Sequence, residues 1–335
     1  MTIKDISAQT GYSVGTVSRV LNHQPNVSEK ARKAILEAAE AVGFQLNANA
    51  KQLKQQRPTS LLAVVKGTSN ELFAGLIEAM QAKMQSLPYP LIVDYIDEDA
   101  DEVQRGVQLC REKKPLGIFF LGGNAESFQR DFAQIDVPCV LVTGDAAGLQ
   151  MEGLSSVTTD DKQVGFLAVE HLVKLGHKKI VVIGGNREQS DIARLRYEGS
   201  LQAFKKENIA FDPAEDYCTG RFSFEDGYQA VEELLAKGRK FTAVFAMADV
   251  MAIGAIRALK DHGLRVPEDI SVVGVDGLNI GKYTVPKLAT VRQSMEELAD
   301  RSIQMLGSQI EGRAGTMHVT ILPVVDGNES AITYQ

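Results

Sequence analysis

Residues 2–22 read Thr2-Ile3-Lys4-Asp5-Ile6-Ser7-Ala8-Gln9-Thr10-Gly11-Tyr12-Ser13-Val14-Gly15-Thr16-Val17-Ser18-Arg19-Val20-Leu21-Asn22. Ile3, Ile6 and Ala8 give the first part an apolar side, Gly11 permits a reversal, and Val17, Val20 and Leu21 repeat an apolar side at helical spacing. Two short helices around a glycine turn are the pattern of a helix-turn-helix. Ser13 caps the second helix, which leaves Val14, Gly15, Thr16, Ser18 and Arg19 near its start, where a recognition helix meets base edges and phosphates. A helical hairpin with no DNA role has the same periodicity.

Working outward, Val27-Ser28 opens a third helix over 29–42, capped by Ser28, with Ala31, Ile35, Ala38 and Val42 on one face. Gly43 ends it and Phe44 closes the seam. So small a unit buries little surface and depends on tethering or on DNA. Residues 47–56 hold helix formers but are shorter than the roughly 12–15 residues an isolated helix needs in water. Arg57-Pro58 ends that segment.

At 335 residues the chain exceeds one compact core. Its net charge of −7 is unevenly spread: residues 1–57 carry eight basic and four acidic side chains, net +4, against 28 and 39 in the remainder, net −11. A phosphate-seeking field therefore belongs to the N-terminal piece. Cys110, Cys139 and Cys218 form no C-x-x-C pair and fit reduced thiols. The opening Met1-Thr2-Ile3-Lys4 lacks the apolar core of a signal peptide, and no stretch offers about 18 uninterrupted apolar residues. The expectation is a soluble cytoplasmic protein with no membrane partner.

From Ser60 the pattern alternates. Strands are expected at 61–65, 91–95, 117–121 and 139–143, with helices at 71–84 and 101–111. A second set follows: helices at 162–175, 194–207, 224–235 and 250–262, strands at 180–183, 243–246 and 271–275. Continuous apolar strands between amphipathic helices mean parallel sheets covered on both faces. Two such doubly wound α/β units, with ligands at the carboxyl ends of their strands, make a cleft between lobes.

The run Thr16-Val17-Ser18-Arg19-Val20-Leu21-Asn22, then Val27-Ser28, then Asn47-Ala48-Asn49-Ala50 resembles the LacI/GalR family of transcriptional regulators, and further matches extend over the whole chain. The resemblance implies an N-terminal all-α helix-turn-helix head (1–46), a hinge helix (47–57) and a periplasmic-binding-protein-like, type I core (58–335). It also implies lobe crossings near Thr158, Gln293 and Leu322, so that the N-terminal lobe holds about 58–158 and 293–322 and the C-terminal lobe about 159–292 and 323–335. It assigns DNA contacts to Thr2, Ser13, Val14, Gly15, Thr16, Ser18, Arg19, Asn22 and Asn26 in the head, and to Asn47, Ala50 and Leu53 in the hinge. Leu53 matches the leucine that wedges between base steps in the minor groove. Leu46 departs from the family's proline, and a plain linker over 47–56 stays open.

By the same resemblance Arg196, in Arg194-Leu195-Arg196-Tyr197-Glu198-Gly199, binds ligand oxygens, and Asp276, after Ser271-Val272-Val273-Gly274-Val275, accepts ligand hydroxyls. Phe222 stands where an aromatic stacks on the ligand, and also reads as a core ring. Asp249 matches one half of an Asn-Asp pair whose asparagine is Ala248 here, and equally reads as the cap of the following helix. Lys66 and the run from Gly67 to Phe73 follow the first strand, where specificity residues cluster. A cleft-facing Lys66 favours an anionic or phosphorylated ligand, and a solvated surface lysine is the alternative.

Catalytic readings fail. Five residues before Gly281-Lys282 stands Asp276 where a Walker A loop needs glycine, and Tyr283 follows the lysine. No G-x-S-x-G elbow, histidine pair, cofactor motif or metal motif is present. The expected function is a ligand-responsive, DNA-binding repressor, a homodimer on a pseudo-palindromic double-stranded operator, with a carbohydrate effector and no enzyme activity. The alternatives are a cytoplasmic sugar-binding or sugar-processing protein, and a regulator whose core takes a protein partner. Without a heptad extension at Ala331-Ile332-Thr333-Tyr334-Gln335, a dimer is the default.

Overall fold

The computed structural model describes residues 3–21, 27–41, 59–68 and 70–334. The chain divides into two compact units, residues 1–57 and 58–335. In the first, α1 (Ile3–Thr10), α2 (Val14–Leu21) and α3 (Glu29–Ala41) enclose Ile6, Val17, Val20, Leu21, Ile35 and Ala39. Gly11 takes the left-handed turn, φ +73°, and donates its N–H to the Ser7 carbonyl. Ser13 and Ser28 cap α2 and α3, accepting from Thr16 N and Ala31 N. Ala8 is exposed, because a residue two beyond the buried Ile6 lies about 200° round the helix. In α3 Ala31 is buried as expected, but the second buried alanine is Ala39, one helical turn beyond Ile35, and Ala38 is half-buried. Val42, Gly43 and Phe44 lie outside the described residues.

The second unit contains two six-stranded sheets among its described residues. The first holds β1 (Leu61–Lys66), β2 (Leu91–Ile96), β3 (Gly117–Leu121), β4 (Cys139–Val142), β5 (Leu154–Thr159) and β11 (His318–Ile321). The second holds β6 (Ile180–Gly184), β7 (Tyr217–Thr219), β8 (Ala243–Ala246), β9 (Ser271–Asp276), β10 (Ala289–Arg292) and β12 (Val324–Asp326). Their orders, β11-β5-β4-β3-β1-β2 and β12-β10-β9-β8-β6-β7, are the same topology repeated. Helices α4 (Glu71–Met84), α5 (Glu102–Lys113), α6 (Ala125–Asp131) and α11 (Met295–Ile310) flank the first sheet. Helices α7 (Asp161–Lys174), α8 (Asp191–Lys206), α9 (Phe224–Ala236) and α10 (Asp249–Asp261) flank the second. Every residue of β1 except Lys66, and all of β3, is buried, as covering on both faces requires.

The chain passes between sheets after Thr159, after Arg292 and after Ile321, each time at the carboxyl end of a strand. The carboxyl edges of the two sheets therefore face each other. This also explains why β12 pairs antiparallel with β10 while the other pairings are parallel: β11 runs straight out of one carboxyl edge and, two residues later, β12 enters the other. β5 gives no apolar run because Ser155, Ser156, Thr158 and Thr159 are buried in it. Ser155 Oγ accepts from Met317 N, and Ser156 Oγ accepts from Ala146 N and meets His318 Nδ1 at 2.8 Å.

Glycines set the helix spacing of the second lobe. A Cβ on Gly165 would lie 1.8 Å from the Arg196 carbonyl oxygen, and one on Gly199 would lie 1.9 Å from that of Lys162. Thus α7 and α8 touch backbone to backbone, which fixes where α8 holds Arg196. Gly199→Ala is expected to cost about 1–3 kcal/mol through overpacking, read as a lower urea midpoint at unchanged m-value. An unaltered midpoint would show that the two helices separate freely.

Candidate functional site

In the head, α2 presents Val14, Gly15 and Arg19 outward, with Val14 46% exposed. Ser13 and Thr16 hydroxyls meet at 2.9 Å, so the cap is itself held. Ser18 is half-buried. Arg19 forms no ion pair among the described residues and is free to meet a phosphate or a guanine edge. Thr2, Asn22, Asn26, Asn47, Ala50 and Leu53, with the hinge at 47–57, lie outside the described residues.

In the second lobe the strand ends gather a buried polar cluster. Arg196 stands in α8 and not in a strand-to-helix turn, and is 4% exposed. Its Nε donates to Asp161 Oδ1 at 2.7 Å and its Nη1 to the Met247 carbonyl at 2.5 Å. Nη2 lies 3.9 Å from Asp276 Oδ1, too far for a hydrogen bond. Asp276 Oδ1 accepts from Gln293 Nε2 at 2.7 Å. The Asp276 backbone is held at φ +115°, a conformation rare outside glycine and one that persists where the surroundings impose it.

Asp249 does not cap α10: the N-cap residue is Ala248, which makes no side-chain bond. Its carboxylate instead accepts from Thr290 Oγ1 and Leu278 N, both at 2.7 Å. That removes the cap reading, and each carboxylate oxygen already takes one bond from the chain, which ties Asp249 to the turn after β9 and to β10. Phe222, half-buried in the loop after β7, lies over the turn after β6, with ring atoms 3.0 Å from where a Gly185 Cβ would stand. Phe222, Asp276 and Arg196 thus share the carboxyl edge of one sheet, as do Asp161 and Gln293, which no sequence motif marks.

The first lobe corrects two expectations. Lys66 is half-buried and not free: its Nζ pairs with Glu102 Oε2 at 2.7 Å, and Glu102 is fully buried. The counter-charge that an anionic ligand would have supplied is already in the chain. Phe73 is 6% exposed and belongs to the core, its ring packed 3.1 Å from where a Gly122 Cβ would stand. Two hydroxyls no pattern pointed to, Thr143 Oγ1 and Thr159 Oγ1, are buried without a partner just beyond β4 and at the end of β5. An unpaired buried hydroxyl is costly, so these are places for a ligand atom or water. Across the mouth, Arg221 of the second lobe meets Asp99 of the first at 3.2 Å. Those residues follow β7 and β2, the sheet edges opposite the crossings. So exposed a pair contributes at most about 1 kcal/mol, which marks closure without locking it.

Two carboxylates, Asp161 and Asp276, flank the guanidinium, and Asp249 feels the charge of Asp276. Burial pushes the Asp161 carboxyl up against the pull of Arg196. Burial and then the Asp276 charge push Asp249 up to about 8, and burial pushes Asp276 up to about 6 against Arg196 and Gln293. Between the ordinary aspartate range and these raised values each of these carboxyls holds more proton in the folded chain than in the unfolded one. Their contribution to stability therefore falls as pH rises across that window, from about 4 to about 8, while the lowered His171 and His177 act in the opposite sense. Asp249→Asn, which cannot ionise, is expected to flatten the decline: urea midpoints at pH 5 and pH 8 should differ less than in the parent. Parallel declines would remove Asp249 as the proton holder.

Among the described residues no helix is long and apolar enough to cross a membrane, and no group of three or more His, Cys, Asp or Glu is placed to hold a metal ion. Residues 2–47 match the description "Bacterial regulatory proteins, lacI family", and residues 169–328 match "Periplasmic binding protein-like domain". The HTH-type transcriptional regulator MalR of Clostridium butyricum is 32% identical over 324 residues, 96% of each chain. The HTH-type transcriptional repressor PurR of Mannheimia succiniciproducens is 30% identical over 92% of each. In fold, the lac repressor dimer bound to operator and the anti-inducer ONPF aligns at TM-score 0.73 over 99% of each chain with 24% identity. The CelR–cellobiose complex aligns at 0.71 over 98% and 99% with 24% identity. With its helix-turn-helix head, its paired parallel sheets and full-length relatives that are transcriptional regulators, the chain belongs to the lacI family of bacterial regulatory proteins.

Proposed function

We propose that the chain is a cytoplasmic repressor, not an enzyme, that binds a two-fold operator as a homodimer and releases or tightens it when a sugar or sugar derivative closes the cleft. In this reading residues 1–46 are the DNA-binding head, 47–57 the hinge, and 58–335 the effector and dimerisation core, with lobes exchanging near Thr158, Gln293 and Leu322. The head works through Arg19 and the outward Val14 and Gly15, with Leu53 of the hinge as minor-groove wedge.

The observation that carries the effector reading is the cluster at the carboxyl edge of the second sheet. Arg196 Nη2 and Asp276 stand 3.9 Å apart, room for a ligand hydroxyl to bridge donor and acceptor, on the same sheet edge as the Phe222 ring over Gly185. A forked cation, a carboxylate and a flat apolar face suit a ring with hydroxyls on its rim and C–H bonds on its face. Thr143 and Thr159 supply hydroxyl partners from the first lobe. Proteins of the same fold carry cellobiose and ribose. Dimerisation is assigned to the apolar loop between β9 and β10, where Tyr283 is 78% and Val285 90% exposed, more than a solvent-facing loop needs.

One set of titrations separates these roles. With an operator from sequence selection and an effector from a sugar thermal-shift screen, Arg19→Ala should lower operator affinity and leave effector affinity intact. Asp276→Ala should do the reverse, its basal operator binding being nearly unchanged. Tyr283→Asp should sediment as a monomer. Unaltered effector affinity in Asp276→Ala would take the cleft out of the mechanism.

A further inference from the structure

The first lobe repeats the strand order of the second but treats charge at its switch point differently. The order β3-β1-β2 puts that point between β1 and β3, where an open α/β sheet takes its ligands and where helix N-termini favour anions. Glu102 lies across it. This first residue of α5 is fully buried, and its two oxygens reach the two lips of the crevice. Oε2 accepts from Lys66 Nζ at the end of β1, at 2.7 Å, and Oε1 accepts from Asn124 N in the turn after β3, at 2.6 Å. The carboxylate stands where a bound anion would.

We infer that Glu102 sets the charge specificity of the effector cleft: it is a built-in anion that saturates Lys66 and restricts the effector to uncharged polyhydroxylated molecules, against phosphorylated or carboxylated ones. The inference rests on the reading of the cleft as the effector site. Lys66 keeps 19% side-chain exposure, so an incoming anion can reach it, but would meet a cation already neutralised and a second like charge in Glu102. The second lobe offers no relief, since Arg196 is paired with Asp161 and lies near Asp276. Removing Glu102's charge leaves a mostly buried ammonium without a partner, and such a group takes up an anion wherever one can enter.

Inorganic phosphate, at matched ionic strength, is the probe. Calorimetric and thermal-shift titrations compare the parent chain, Glu102→Gln, and the double variant Lys66→Met/Glu102→Gln. The parent should show no phosphate-specific stabilisation. Glu102→Gln should bind phosphate with an apparent Kd lowered about tenfold or more, the equivalent of about 1.4 kcal/mol, and the double variant should lose the gain. If Glu102→Gln melts without cooperativity, phosphate should restore a cooperative transition. No gain in Glu102→Gln, no such restoration, or an equal gain in the double variant overturns the assignment. Phosphate binding to Glu102→Gln that leaves operator affinity unmoved would uphold the charge assignment and overturn the cleft reading beneath it.

Discussion

One buried cation organises the carboxyl edge of the second sheet. Arg196 reaches from α8 to the start of α7 through Asp161 and to the turn after β8 through the Met247 carbonyl, and it faces Asp276 at the end of β9. Three segments distant in sequence are thereby fixed at the carboxyl edge of one sheet. Burying a guanidinium among carboxylates is weak support for stability, since desolvation offsets most of the attraction, and a hydrophobic cluster of equal volume is often more stable. Such a site has a use where a ligand completes it. The incomplete Arg196–Asp276 contact, the positive φ of Asp276 and the raised carboxyls all fall at this place, and perturbed groups cluster at functional sites.

The glycines explain how so polar a cluster is held rigidly. Gly165 and Gly199 bring α7 and α8 into backbone contact, and Gly227 and Gly254 do the same for α9 and α10, where an added Cβ would lie 2.2 and 2.0 Å from the Met251 and Phe224 carbonyl oxygens. Gly274 leaves room for Asp249, whose Oδ1 would be 2.3 Å from a Cβ there. The crossings at one side and the Arg221–Asp99 pair at the other leave lobe rotation as the natural motion. A ligand touching both strand ends biases it by its differential affinity for the closed form.

Helices with a full apolar stripe and a cap were legible from the sequence. Residues 71–84 and the apolar strands 117–121 and 243–246 have the bounds their periodicity implies. Strands of three or four residues at β7, β11 and β12 are too short to show a period, and β5 is concealed by its buried hydroxyls. The helix α11 at 295–310 follows a crossing and was marked by no expectation. At the site, a motif brings Arg196 and Asp276 to notice but cannot say what they touch. Lys66 is the sharpest case. Its charge is visible in sequence, whereas its meaning depends on Glu102, 36 residues away and brought to it only by the fold.

In the proposed mechanism cleft and head share one conformational equilibrium. Linkage requires any such coupling to be reciprocal in binding free energy. The most direct measurement is therefore effector affinity by calorimetry on the free protein and on the protein saturated with operator. Dissociation constants should differ by the same factor, in the same sense, as operator affinities with and without effector. Identical effector affinities in the two states, alongside genuine binding of both ligands, would contradict the claim.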